Sequence, residues 1–305
     1  MIGFKISCLV ILLLFVSSIA HSQIDEDIFA DLGVLVLAHG GNENWNREIA
    51  QVVAPLQDRF CLEIALGMAV PDSLEKGLRK LEERRAKRIL VIPLFISSYS
   101  SIIRQTEYVL SLRPELADEP LLMHHGNSAH EHHANHAAML KPISTTAKLK
   151  MTGALDNHPF VGEILLARAQ ELSTVPENET VLLVAHGPNE EEDNQKWLDT
   201  MNNLAQTLRQ QGGFLAVQSV TLRDDAPKEI YETAREDLRR RVLQAMQANN
   251  RVLVIPFLLA SGGIEKGIPQ RLEGLNYIYN GKTLLPHVNI TRFVEEKIRE
   301  NENTF

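Results

Sequence analysis

Apolar and polar positions fall into blocks along this chain. Short runs built almost wholly of Val, Leu and Ile (VLVLA before His39, RILVIPLF from Arg88, TVLLVA before His186, RVLVIPFLL from Arg251) are separated by longer stretches in which apolar side chains return about every three or four positions. A run that is apolar on every side reads as a strand covered on both faces, and the three-to-four spacing reads as an amphipathic helix. The first half therefore predicts a strand at 34–38, a helix at about 43–58, a strand at about 61–67, a helix at about 72–85, a strand at 88–95 and a helix at about 101–112. Strands that alternate with helices mark a parallel α/β sheet.

The blocks recur in the second half in the same order. The strand before His39-Gly40 returns before His186-Gly187, the strand carrying Pro93 returns around Pro256, and a histidine closes each copy, at His158 and at His287. Each copy is long enough for its own sheet and core, so the pattern predicts two tandem Rossmann-like or flavodoxin-like α/β domains related by internal duplication, at 30–173 and 174–305. The spacing differs in one place. Pro93 lies 65 residues before His158 whereas Pro256 lies 31 before His287, so the first copy carries an insertion of 34 residues, at about 116–147.

That insertion holds His124, His125, His130, His132, His133 and His136. Six imidazoles spaced by small and polar residues can wrap a borderline divalent ion such as Zn, Ni, Co or Cu; the alternative is a solvated polar loop. A flexible segment of this kind sets no geometry and so selects no single metal. The open α/β sheet supplies a second group of candidates, because ligands bind at the carboxyl ends of its strands, where His39 and His186 stand. A structural role for both, capping or turning the chain into the next helix, is the alternative.

Composition narrows the choice of partner. The formal net charge is −8, which argues against nucleic acid. Lys5, the apolar run from Cys8 to Ala20 and the Ala20-His21-Ser22 step read as a signal peptide over residues 1–22, with an uncleaved anchor as the alternative; the signal reading predicts an exported, periplasmic protein with no membrane span in the mature chain. Cys8 falls within that segment, leaving Cys61 without an internal disulfide partner.

With the strand-His-Gly motif, the VIPLF strand, the helix after it and the closing His-Pro segment, the chain resembles the class II chelatases of the sirohydrochlorin cobaltochelatase and ferrochelatase type, with both halves of a two-domain member present. The resemblance implies two α/β domains facing one another across a cleft, where a strand-end histidine holds a divalent metal (Co, Fe or Ni) that is inserted into a tetrapyrrole, with no nucleotide. His39 and His186 match that position. The family's usual second histidine, after the VIPLF strand, would fall near Ser101 and Ile264, where neither copy has one; Tyr99 and Glu265 stand beside those places as oxygen donors. The acid at the turn before the helix is missing in the first copy, at Met68, and is present in the second as Asp224 and Asp225.

Insertion requires a neutral imidazole for the ion and a base for the two pyrrole protons. His39 or His186 fits the first role and Asp224, Asp225 or Glu265 the second, with Arg104 and Tyr99 as candidates to meet the tetrapyrrole and a solvated helix face as the alternative for Arg104. Three readings follow: a chelatase acting on sirohydrochlorin or a related tetrapyrrole, an exported metal- or tetrapyrrole-binding protein, and an interaction protein that kept only the fold.

Overall fold

The computed structural model describes residues 31–116, 140–248 and 250–305. The signal-like segment and the six clustered histidines lie outside the described residues. The first half runs β1 (Leu32–Ala38), α1 (Glu43–Gln57), β2 (Cys61–Leu66), α2 (Pro71–Glu83), β3 (Arg88–Pro93), α3 (Ser101–Val109), β4 (Lys148–Met151) and α4 (Pro159–Gln170). The second runs β5 (Glu179–Ala185), α5 (Glu191–Gly212), β6 (Ala216–Thr221), α6 (Lys228–Gln247), β7 (Arg251–Phe257), α7 (Ile264–Arg271) and α8 (Val288–Asn301). Helix α3 stops three residues short of the sequence reading, because the chain turns through a left-handed Ser111 (φ 57°) before Pro114.

All strand pairs are parallel. The first sheet has the order β2-β1-β3-β4 and the second β6-β5-β7. The counterpart of β4 in the second half is a single parallel bridge from Leu253 to Ile278. Ile278 precedes His287 by nine residues as Leu149 precedes His158. The duplication thus persists there in position after the strand itself has shortened.

Alternation along the central strands divides the core. Val34, Val36 and Ala38 of β1 face one cluster while Leu35 and Leu37 face another, packed against α2 and the end of α3. In β5, Val181, Leu183 and Ala185 join the cluster that contains Val34 and Val36, whereas Leu182 and Val184 turn to a third cluster beneath α6 and α7. One apolar core is therefore common to both halves.

The closing helices explain how that core is shared. Helix α4 packs chiefly on α5 and β7 of the second half, and α8 packs on α1 and β3 of the first; the two also touch one another. Gly162 brings α4 close to α5, since a Cβ there would sit 3.6 Å from Leu204. Polar contacts repeat the exchange. Buried Arg168 of α4 donates to the carbonyl oxygens of Thr283, Leu284 and Pro286, while Thr291 of α8 donates to the Val52 carbonyl oxygen at 2.7 Å and Arg59 pairs with Glu295 at 2.6 Å.

The described end of the insertion is part of the first half's core. Leu140 and Ala147 are buried with Ile143 packed beside them, and the Glu82 carboxylate accepts from Thr145, Thr146 and the Ala147 N–H. The insertion is therefore anchored to the core through its described residues 140–147. Its roots, Leu116 and Leu140, pack among the residues that close α2 and α3, at the amino-terminal end of the sheet and away from His39. No helix among the described residues is long and apolar enough to cross a membrane.

Candidate functional site

In each sheet the chain moves outward from the central strand to one neighbour and then returns past it to the other side. The crevice of such a sheet opens where the order reverses, between the carboxyl ends of β1 and β3 and again between those of β5 and β7. His39 is the first residue after β1 and His186 the first after β5. The glycine after each is left-handed, with φ 77° at Gly40 and 76° at Gly187, and a Cβ on Gly187 would lie 2.5 Å from that of Thr221. The left-handed backbone favours glycine at both places and space excludes a Cβ at Gly187, which is why the histidine is paired with glycine in each copy.

The two imidazoles have different surroundings. His39 is exposed, with Nδ1 2.6 Å from the Gly40 carbonyl oxygen and its ring 6.2 Å from that of Trp45. A carbonyl only accepts, so this bond puts the proton on Nδ1 and leaves Nε2 with the lone pair. His186 is half-buried, and its Nε2 lies 3.1 Å from Oδ2 of Asp225, which follows β6. An imidazole beside a carboxylate can bind a divalent ion and move a proton.

The other acids proposed from the sequence are placed differently. Asp224 pairs with Arg271, a buried guanidinium that also donates to the Leu222 carbonyl oxygen and lies 4.1 Å from the centre of the Tyr231 ring. Glu265 is buried, and its carboxylate accepts from the Gly262 and Gly263 N–H groups at 3.1 and 2.8 Å, closing the turn into α7. Only Asp225 among the three is brought to a strand-end histidine. Ser101 and Ile264, near which the resemblance would place a second histidine, are the first residues of α3 and α7. Among the described residues, no group of three His, Cys, Asp or Glu side chains is gathered as a metal would require.

Arg104 and Tyr99, expected to meet a tetrapyrrole, join the two halves. The Arg104 guanidinium forms two bonds to buried Asp193 of α5, at 3.0 and 2.7 Å, and the Tyr99 carbonyl oxygen accepts from the Trp197 indole at 2.6 Å. The Tyr99 ring itself remains exposed, 5.7 Å from the Lys196 ammonium. A related contact occurs on the other side, where Trp45 lies against Gly262 in the loop after β7. Tyr99 and Gly262 each stand six residues beyond the proline of their strand. Sequence reasoning passed over both tryptophans, Trp45 five residues beyond Gly40 and Trp197 ten beyond Gly187.

His158 and His287 are helix caps. The Nδ1 of His158 accepts from the Phe160 N–H and its Nε2 lies 2.9 Å from Glu296, while Nδ1 of His287 accepts from the Asn289 N–H. Burial, aided by the nearby Arg168 charge, lowers the His287 pKa and favours the neutral ring that capping needs. A hollow of about 480 Å³ at the β4 edge, between Leu110, Lys148 and Phe305, includes neither strand-end histidine.

Two parallel α/β units joined through exchanged helices, with a histidine at each switch point, define a duplicated class II chelatase architecture. The chain belongs to the CbiX family, whose model matches residues 33–172 and 180–301. Its fold is similar to that of SirB from Bacillus subtilis with Fe3+ (TM-score 0.61, 15% identity, 90% of this chain and 96% of that one). The sirohydrochlorin chelatase SirB from Bacillus subtilis subspecies spizizenii in complex with cobalt aligns with TM-score 0.57 at 14% identity, over 90% and 98% of the two chains. CbiX, the terminal enzyme for biosynthesis of siroheme in denitrifying bacteria, aligns with TM-score 0.51 at 13% identity, over 88% and 98%. No curated protein sequence matches significantly.

Proposed function

We propose that the protein is a metal chelatase that inserts Co2+ or Fe2+ into sirohydrochlorin or a related tetrapyrrole, with the second half's strand-end pair handling the ion. The observation that carries this reading is the 3.1 Å approach of Asp225 to His186 at the switch point of the second sheet, within a CbiX-family fold. Metal insertion exchanges two pyrrole N–H protons for one divalent ion, so a site must hold the ion through a neutral donor and accept protons as the ring closes on it. His186 supplies the imidazole, Asp225 the adjacent base, and the Nε2 lone pair of His39 a second base at the other switch point. Two SirB proteins of the same fold, one with Fe3+ and one in complex with cobalt, support iron or cobalt as the metal.

A second reading is retention of metal or tetrapyrrole without turnover. It is favoured by the commitment of Asp224 and Glu265 to Arg271 and to the turn into α7, which leaves one carboxylate beside one imidazole.

Both readings meet one experiment: Co2+, Fe2+ or Ni2+ is mixed with the purified protein and sirohydrochlorin, and metallation is followed by absorbance. The parent is expected to accelerate metallation, His186→Ala to lose about 10²-fold or more of that acceleration, and Asp225→Asn to lose a comparable share. Equal rates in the parent, His186→Ala and His39→Ala would overturn the chelatase reading. Binding of ion or ring without metallation would establish the second.

A further inference from the structure

We propose that Arg223 is a positioning residue that holds Asp225 against His186 by bracing the loop after β5 to the turn after β6. The proposal rests on the reading of His186 and Asp225 as the ion-handling pair. Arg223 has a side chain only 8% exposed, and all the contacts of its guanidinium lie on the segment that follows His186. Nε donates to the Pro188 carbonyl oxygen at 3.1 Å, and the two terminal nitrogens reach the Asn189 carbonyl oxygen and the Glu191 carboxylate in the first turn of α5. Its backbone N–H donates to the carbonyl oxygen of His186 itself, at 2.6 Å.

The bracing is reciprocal. Asn189 returns a bond from its side-chain amide to the Asp225 carbonyl oxygen at 3.1 Å, and the Ala226 N–H bonds back to the Arg223 carbonyl oxygen at 3.1 Å. Asp225 is therefore fixed from both sides although its own side chain is 60% exposed. Arg223 is also left-handed, with φ 54°, and that backbone sets the direction of the two acids that follow. A planar guanidinium reaches three separated acceptors from three different nitrogens, whereas an ammonium presents all its donors from one atom.

The first half supplies an internal comparison. Gly67 N–H bonds to the Ala38 carbonyl oxygen as Leu222 N–H bonds to that of Ala185, so Met68 occupies the place of Arg223 and not, as the sequence alone suggested, that of the acid, which falls to Ala69 and Val70. That turn has neither a guanidinium nor a carboxylate facing His39. Acid and brace are present together in one copy and absent together in the other.

The test uses the full chain with Arg223→Met, Arg223→Lys, Arg223→Gly, Asp225→Asn and the Met/Asn double variant. At pH ~8.5, where imidazoles are ordinarily neutral, nitrogen NMR of the metal-free protein reads the His186 tautomer, its signal assigned through His186→Ala. The parent is expected to carry its proton on Nε2, facing Asp225, and Arg223→Met and Asp225→Asn to shift it alike toward a mixture. Half-saturation by Co2+ in sirohydrochlorin metallation should rise roughly tenfold in each single variant and no further in the double. Arg223→Lys should not rescue, and Arg223→Gly should lose affinity despite its easier backbone. Parent-like tautomer and half-saturation in Arg223→Met, or fully multiplicative effects in the double variant, overturn the brace while leaving the His186 site intact. Parent-like metallation in His186→Ala overturns the site on which the brace rests.

Discussion

Glu179 opens β5 as a fully buried carboxylate. Burial by itself pushes such a group up, but bonds from the Ser173 hydroxyl, the Thr174 and Val175 N–H groups and the Arg251 guanidinium outweigh it and hold the pKa at about 2. The unfolded chain takes up the proton near pH 4.5, so this stabilisation is complete above that value and is lost as pH falls toward 2. It amounts to roughly 3 kcal/mol. Glu179→Gln is accordingly expected to lower stability at pH 7 by that order and to flatten the decline between about pH 4.5 and 2, as measured by urea unfolding across pH. An unchanged acid limb would show that Glu179 does not govern it. At the same scale, the sequence distinguished the strand-end histidines well, since an apolar run ending in His-Gly specifies both the tip of a strand and a left-handed turn. It could not distinguish Asp224, Asp225 and Glu265. Three acids close to helix starts look alike until Arg271, His186 and the Gly262-Gly263 turn come to them from other parts of the chain.

Helices α4 and α8 lie beyond the sequence reading, which marked only the histidine before each, at His158 and His287. An amphipathic stripe fixes which residues are buried but carries no label for the surface that buries them. Phe293 illustrates the point: it is fully buried in α8, in the cluster that also holds Trp45, Ile49 and Val53 of α1. Phe293→Ala should cost about 3–5 kcal/mol in denaturant unfolding, and the loss should appear equally in probes placed in either half. A loss confined to the second half would show that α8 is only loosely docked. The shortened fourth strand of the second sheet was equally hidden, because the segment around Ile278 differs from β4 by length of pairing rather than by pattern.

Across the whole molecule the duplication was legible from three motifs in repeated order, and the joining of the copies was not. Arg104 with Asp193, Tyr99 with Trp197, and the common core of β1 and β5 all cross between the halves. Arg88 adds a further tie, pairing with Asp31 while donating to the Glu302 carbonyl oxygen beyond α8. The two copies should therefore unfold in a single transition, and a chain ending after Ser173 should not fold alone because α4 would have no partner and α1 no cover. Calorimetry of the whole protein and circular dichroism of the separate halves check this; a well-folded isolated half would contradict it.

Exchanged helices also set a timetable. Helix α8, which covers α1 and β3, is made on the order of a hundred residues after the rest of the first half. At about 5–20 residues per second, the stripe of Trp45, Ile49, Val52 and Val53 remains uncovered for on the order of ten seconds during synthesis. The nascent chain thus passes through a long interval in which its first half is present in full yet sticky, and any message truncated before Val288 would leave it so permanently.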